Sequence, residues 1–413
     1  MLHTEPPKSG ASQAALEGRI RSVIGNLRQT FMNVLSELPG APLRSLELAR
    51  LLNVNKTLAS RIGQALRTPD PLACAHRMPG PEALRILLSA AAKKGVAKSA
   101  IAAAEGVVGD FDQLLRLDFE NRDGLDAFIS HSLPSARAKY EFANKQAMFK
   151  AAANLKGVYA DIHMSAFLIH PGATPDRYDY VLLAGLLGLR RLRPEATAHI
   201  SNEHLTESEE PRSRLTIDGD TVEGMHGLLL DRFCSTPTPQ IVVKRLGRGV
   251  DYVLADNGVG PNSAQDLVFA EAARGLYNRY QMPDMPRLRG AGVDVEQPVR
   301  TLILDLMLHE DVWPQAGPIL SIYDTVVRGS ADPNDRARDS DKLDLLESLD
   351  FLGWNIAKFG AEEIPRYREM LDYVCRKMGW NGERFRNYRC RIQYPFYGCQ
   401  VSICFEPPPR PAP

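Results

Sequence analysis

The amino-acid sequence predicts an α+β protein: an all-helical N-terminal half, followed by a C-terminal half built on a mixed or antiparallel sheet with packed helices. Three observations predict it. Up to about residue 155 apolar residues recur at helical spacing between proline and glycine breaks. After Leu155 runs rich in β-branched and aromatic residues take over. Hairpin-type turns join those runs, rather than the regular strand–helix alternation of a parallel sheet. A length of 413 residues with 44% apolar content suits two or three globular domains.

Taken in order, residues 1–12 and the closing PPPRPAP are polar or proline-rich and read as tails, because neither can bury enough apolar surface to offset ordering. From Ser12 to Leu38 the positions Leu16, Ile20, Val23, Ile24, Leu27, Phe31, Val34, Leu35 and Leu38 step by threes and fours, which predicts one long amphipathic helix ended by Pro39-Gly40. That helix either covers the rest of its domain or joins two copies. Helical patterns continue through PEALRILLSAAAKKG, VAKSAIAAAEGVV, DFDQLLRLDF and SARAKYEFANKQAMFKAAANL, giving a helical domain over 13–155.

An α+β domain is expected over 156–406, with a possible subdomain break near 283–297 and a proline-rich tail at 407–413. Its strands are GVYADIHMSAFLIHP, PQIVVKRLGRGVDYVLADNG as two strands around Gly-Arg-Gly, PVRTLILDLMLHEDV and ILSIYDTVV. Helices are expected at SDKLDLLESLDFLGWNIAKFG and IPRYREMLDYVCRKMGW, and a closing strand pair at FRNYRCRIQYP and CQVSICFE.

Net charge is zero, so no global field draws the chain to nucleic acid or membrane. The charge is uneven, however: residues 1–70 hold nine Lys or Arg against five acids, a surplus of 9 − 5 = +4. No secretory pattern opens the chain and no apolar run is long enough to span a bilayer, which points to a cytoplasmic protein without a membrane partner. Six cysteines with no CxxC pair fit free, buried thiols in a reducing compartment.

The stretch LELARLLNVNKTLASRIGQAL, Leu46 to Leu66, carries the clearest functional pattern. Ala49 is the small residue that lets two helices cross closely, Asn53 takes the turn, Val54 is the apolar plug, and Leu48, Leu52, Ala59 and Ile62 face the core. Asn53 tolerates the left-handed conformation better than other non-glycine residues, and Asn55 suits a helix cap. Over residues 44–66 the chain resembles the helix-turn-helix family of DNA-binding proteins. The resemblance implies a transcriptional regulator in which Asn55, Lys56, Thr57, Ser60 and Arg61 meet base edges while Arg44 and Arg50 touch phosphate. It also implies a homodimer on double-stranded DNA, with a ligand- or partner-binding C-terminal domain. A helical hairpin with a merely solvated polar face fits the same pattern, and the rest of the chain resembles bacterial proteins of unknown function.

Elsewhere the sequence holds no hydrolase elbow, phosphate loop or zinc-protease motif. Gly258 and Gly260 would cradle an anion if Ser263 and Asp266 opened a helix, but DLVFAEA reads equally well as a strand. His163 and His170 are an odd number apart on one strand, so they face opposite ways. His309-Glu310-Asp311, like Asp161 near His163, gathers ligand types that could hold a metal or act as an acid/base pair, or simply end a strand with solvated charge. The sequence calls for no metal and no cofactor. Arg384, Arg386, Arg389 and Arg391 in the last strand pair could form a basic face for an anion, a protein or RNA, or an arginine row that blunts an exposed edge. Arg190, Arg191 and Arg193 read as a basic loop or a small anionic effector's site. The alternatives to DNA binding are therefore an enzyme or anion-binding protein on a helical scaffold, and an interaction module using the final arginine-rich strands.

Overall fold

A computed structural model describes residues 13–41, 44–204, 213–246, 249–255, 258–282 and 286–410. The first twelve residues, Gly247 and Arg248 of the expected turn, and most of the loop at 206–213 lie outside them. The chain divides into two compact units, 1–141 and 142–413.

Unit 1 is helical. Its helices are α1 (Gln13–Ser36), α2 (Ser45–Leu52), α3 (Lys56–Arg67), α4 (Pro71–Arg77), α5 (Pro81–Ala92), α6 (Lys98–Asp118) and α7 (Arg122–Ser132), and the division falls inside α8 (Pro134–Lys156). The predicted stripe of α1 is its buried face: Ile20, Ile24, Leu27, Phe31 and Val34 are fully buried against the other helices of the unit. The stripe therefore covers the other helices of its own unit, the first of the two roles open to it. Proline at N1 starts α4 and α5, where the missing N–H costs nothing.

Unit 2 is α+β. Its elements in order are β1 (Val158–Pro171), β2 (Arg177–Arg191), β3 (His199–His204), β4 (Ser213–Leu215), β5 (Thr221–Glu223), β6 (Ile241–Leu246), β7 (Gly249–Leu254), β8 (Gln265–Asn278), β9 (Arg289–Asp294), β10 (Val299–His309), β11 (Ile319–Asp324), β12 (Leu349–Trp354), α9 (Tyr367–Met378), β13 (Phe385–Gln393) and β14 (Cys399–Phe405). Among the described residues they form an 8-stranded sheet, order β12-β13-β10-β1-β2-β8-β4-β5, and two 3-stranded sheets, β11-β14-β9 and β3-β7-β6. The β1–β10 pair is parallel and the others are antiparallel.

One face of the large sheet, with Ile162, Met164, Leu168 and Ile303, packs under Tyr367, Met370, Leu371 and Val374 of α9. The other face, with Leu302, Leu304 and Leu306, packs on Val401, Ile403 and Phe405 of β14. β10 is therefore covered on both sides, which is why TLILDLML is a continuous apolar run broken by one acid, Asp305.

Three expectations are corrected. The helix expected at 340–360 is an irregular segment leading into β12, because Leu343, Leu345 and Leu349 are spaced for a strand and their burial alternates residue by residue. Of the two readings open for DLVFAEA the strand holds, within β8, and only a single 3-10 turn, Pro261–Ser263, follows Gly260. LGLRR is the end of β2 rather than a loop. Finally, β13 and β14 do not pair with each other: β13 lies between β12 and β10, and β14 lies between β11 and β9. At the C-terminus, Pro408 accepts a hydrogen bond from the Gln281 N–H at 2.9 Å and Arg410 pairs with Asp176, so residues 408–410 are held rather than a free tail.

Candidate functional site

α2 and α3 are joined by Asn53, Val54 and Asn55. Asn53 adopts the left-handed conformation, φ 50° and ψ 47°, and its N–H closes the end of α2 on the Ala49 and Arg50 carbonyls. The Asn55 side chain accepts the Thr57 N–H at 2.7 Å and caps α3. At the start of α2, Glu47 accepts the Arg44 N–H at 2.8 Å.

Leu48, Ala49, Leu52, Ala59, Ile62, Ala65 and Leu66 are buried, with Val54 packed against them. Arg44, Arg50, Asn55, Lys56, Thr57 and Arg61 are exposed, and Ser60 is half-buried. From Leu48 to Pro69 the chain has four cations, Arg50, Lys56, Arg61 and Arg67, and no acid. Among the described residues none of these cations, nor Arg44, makes an ion pair; Asp70, the next acid, is engaged by Arg21 and by the Ala73 N–H that it caps.

The left-handed turn gives a stability test. Asn53→Gly is expected to raise the free energy of unfolding of unit 1 by a few tenths of a kcal/mol up to about 1, and Asn53→Val to lower it by about 1–2 kcal/mol, measured by urea denaturation followed by helical circular dichroism.

The seven arginines of unit 2 singled out in the sequence, from Arg190 to Arg391, present the opposite picture. Arg190 pairs with Asp161 and lies over the Tyr159 ring. Arg191 is buried and donates to the Ala196, Leu254 and Ala255 carbonyls, and Arg193 donates to that of Leu155. Arg384 pairs with Glu310 and Asp311, and Arg391 with Glu363. Arg386 is buried on the carbonyls of His309, Val312 and Trp313. Arg389 forms a two-pronged pair with Asp305, both bonds 2.7 Å, and donates to the Gly360 carbonyl.

The expected open basic strand is thus an internal strand whose guanidiniums are occupied by the fold. Nor do the two sets converge: Arg191 lies opposite Val158, where β1 and β10 begin, and Arg386 lies opposite Leu308, where β10 ends.

His309 is 2% exposed, and burial holds it down at about 4, so it is neutral at pH 7. Its Nδ1 lies 3.3 Å from the Asp311 N–H, its ring meets that of His170 at 4.5 Å, and His170 stacks on Trp380. With Glu310 and Asp311 held by Arg384, this cluster ends a strand in a packed aromatic corner and does not present an open acid/base pair. His163 lies on the face opposite His170, as alternation requires; burial likewise holds it at about 4. Among the described residues no three His, Cys, Asp or Glu side chains are grouped to hold a metal. All six cysteines are free, and Cys390 and Cys404 belong to separate sheets. No described helix is long and apolar enough to cross a membrane.

Two cavities in unit 2 have no counterpart in the sequence reading. One, about 1170 Å³, borders His163, Ser165 and Phe167 of β1. The other, about 270 Å³, borders Tyr178, Tyr180, Tyr277, Arg289 and Ser402. Their residues come from strands far apart in the chain and share no motif, so no local signal marks them. No family model matches this chain, and neither a curated protein nor a solved structure matches it.

Proposed function

We propose that the chain binds duplex DNA sequence-specifically through α3, as a helix-turn-helix transcriptional regulator. The observation that carries this reading is the stretch from Leu48 to Pro69, through the turn and α3, where exposed cations and hydrogen-bonding side chains stand with no acid in the segment and no ion pair among the described residues. A cation left unpaired on a protein surface is free to displace counterions from a phosphate backbone, whereas an arginine spent on a carboxylate is not. In this reading Arg44 and Arg50 contact phosphate and set the register. Asn55, Lys56, Thr57, Ser60 and Arg61 lie along the N-terminal turns of α3, the part of such a helix that reaches base edges in the major groove. Two copies read two half-sites, and since the stripe of α1 is buried in its own unit, they associate through another surface.

The test is the affinity of the full chain for mixed-sequence duplex DNA as a function of salt, for the native protein and a Lys56→Ala, Arg61→Ala double variant. Native binding is expected to fall steeply with salt, and the variant to bind about tenfold or more weakly at low salt. Both side chains are exposed, so thermal unfolding is expected to be unchanged. Absence of native binding at low salt, or equal binding by the two proteins, overturns the reading.

A further inference from the structure

Among the described residues, Arg289 is the exception among the buried and half-buried arginines of unit 2. Every other buried or half-buried guanidinium there donates to a carboxylate or a backbone carbonyl, as Arg177 does to Leu276, Arg214 to Glu271 and Arg287 to Asp332. Arg289, the first residue of β9, is half-buried and makes no hydrogen bond or ion pair among the described residues. A cation partly withdrawn from water without a counter-charge is costly to hold, and pairing with an anion would offset that cost.

The cavity beside it, about 270 Å³, supplies the rest of the description. No Asp or Glu borders it. Burial pushes the Tyr178 hydroxyl up, with Arg289 acting in the opposite sense, and burial lifts the Cys404 thiol to about 11, so neither supplies a counter-charge at neutral pH. The Arg289 charge is therefore uncompensated within the cavity. Aromatic rings form a wall, with Tyr178 and Tyr277 stacked at 5.6 Å and 21°, Tyr180 at 5.8 Å from Tyr277, and Phe167 at 6.3 Å from Tyr180. Ser402, 1% exposed, borders the same space with a hydroxyl that has no partner. A cavity of this size lies just below the usual range for drug-sized ligands and suits a single substituted ring.

We infer that this cavity binds a small aromatic carboxylate, the carboxylate paired with the planar fork of Arg289 and the ring lying against the tyrosine wall. A guanidinium matches a carboxylate through two parallel N–H bonds, and an aromatic wall selects a flat, conjugated body over an aliphatic one. The inference is independent of the reading given to α3.

The full chain is titrated calorimetrically with benzoate as probe, with benzamide as its neutral counterpart and acetate and inorganic phosphate as anions without a ring. Saturable benzoate binding is expected, with the other three at least about tenfold weaker. Arg289→Gln is expected to weaken benzoate by about tenfold or more, and Tyr277→Ala, at a partly exposed ring, to weaken it by several-fold with the fold intact. Should Arg289→Gln unfold, Arg289→Lys keeps the charge without the fork and is expected to bind benzoate more weakly than the native chain. Failure of benzoate to saturate, equal binding of benzamide, equal or tighter binding of phosphate, or benzoate affinity unchanged by the Arg289 and Tyr277 substitutions would each overturn the inference.

Discussion

Asp305→Ala is expected to lower the free energy of unfolding of unit 2 by about 3–5 kcal/mol, because it strands a buried guanidinium. Asp305 is fully buried at the centre of β10, and its two oxygens accept from Arg389 at 2.7 Å and from the Tyr367 hydroxyl at 2.6 Å. Burial pushes the Tyr367 hydroxyl far up, and the neighbouring Asp305 adds to it, so the phenol remains a donor to the carboxylate. The network ties β10, β13 and α9 together through one acid. Because the three tryptophans of the chain, Trp313, Trp354 and Trp380, all lie in unit 2, urea unfolding followed by tryptophan emission reads this unit alone. An Asp305→Leu, Arg389→Met double variant, which removes both charges, is expected to recover most of the loss. A loss below about 1 kcal/mol in Asp305→Ala would mean that water reaches the site.

Trp313→Ala is expected to cost about 3–5 kcal/mol in the same measurement, the two remaining tryptophans serving as reporters. The indole is 1% exposed, donates to the Arg279 carbonyl at 2.8 Å, and meets the rings of Tyr178 and Phe405 at 5.7 Å each. Its backbone sits at φ 47°, a region a bulky residue occupies only when packing holds it there. Trp313→Gly is therefore expected to be no worse than Trp313→Ala, since glycine removes the local strain while leaving the same cavity. A glycine variant clearly less stable than the alanine variant would show that the backbone stores no strain at this point.

Elements whose period is unambiguous were legible in the sequence. The stripe of α1, the apolar run of β10 and the anchors of α2 and α3 are each set by their own side chains, and each is buried as the spacing requires. Expectations failed where the outcome depends on distant partners. Leu345, Leu349 and Leu352 recur at helical steps while Leu343, Leu345 and Leu349 step by even numbers, and it is pairing with β13 that makes β12 a strand. Arg389 reads as a surface cation until the Asp305 opposite it in the sheet is known, and nothing near Asp305 in sequence announces an arginine. The same limit hid the Arg289 cavity, whose wall draws on β1, β2, β8 and β9. By contrast the cation face of α3 was readable because a helix displays its solvent side within a dozen residues.

The parallel pairing of β1 with β10 also governs the order in which unit 2 can be made. Ala160 meets Val299, so the middle of the large sheet closes only across roughly 140 residues of chain, a slow step compared with forming the β1–β2 hairpin. On a ribosome, β1, β2 and β8 emerge first and can pair, but one edge of β1 and the apolar face later covered by β14 stay open until residues 299–405 follow. The nascent chain thus carries an unfinished hydrophobic sheet for much of its synthesis, and its last strands act as the closing step for the whole unit.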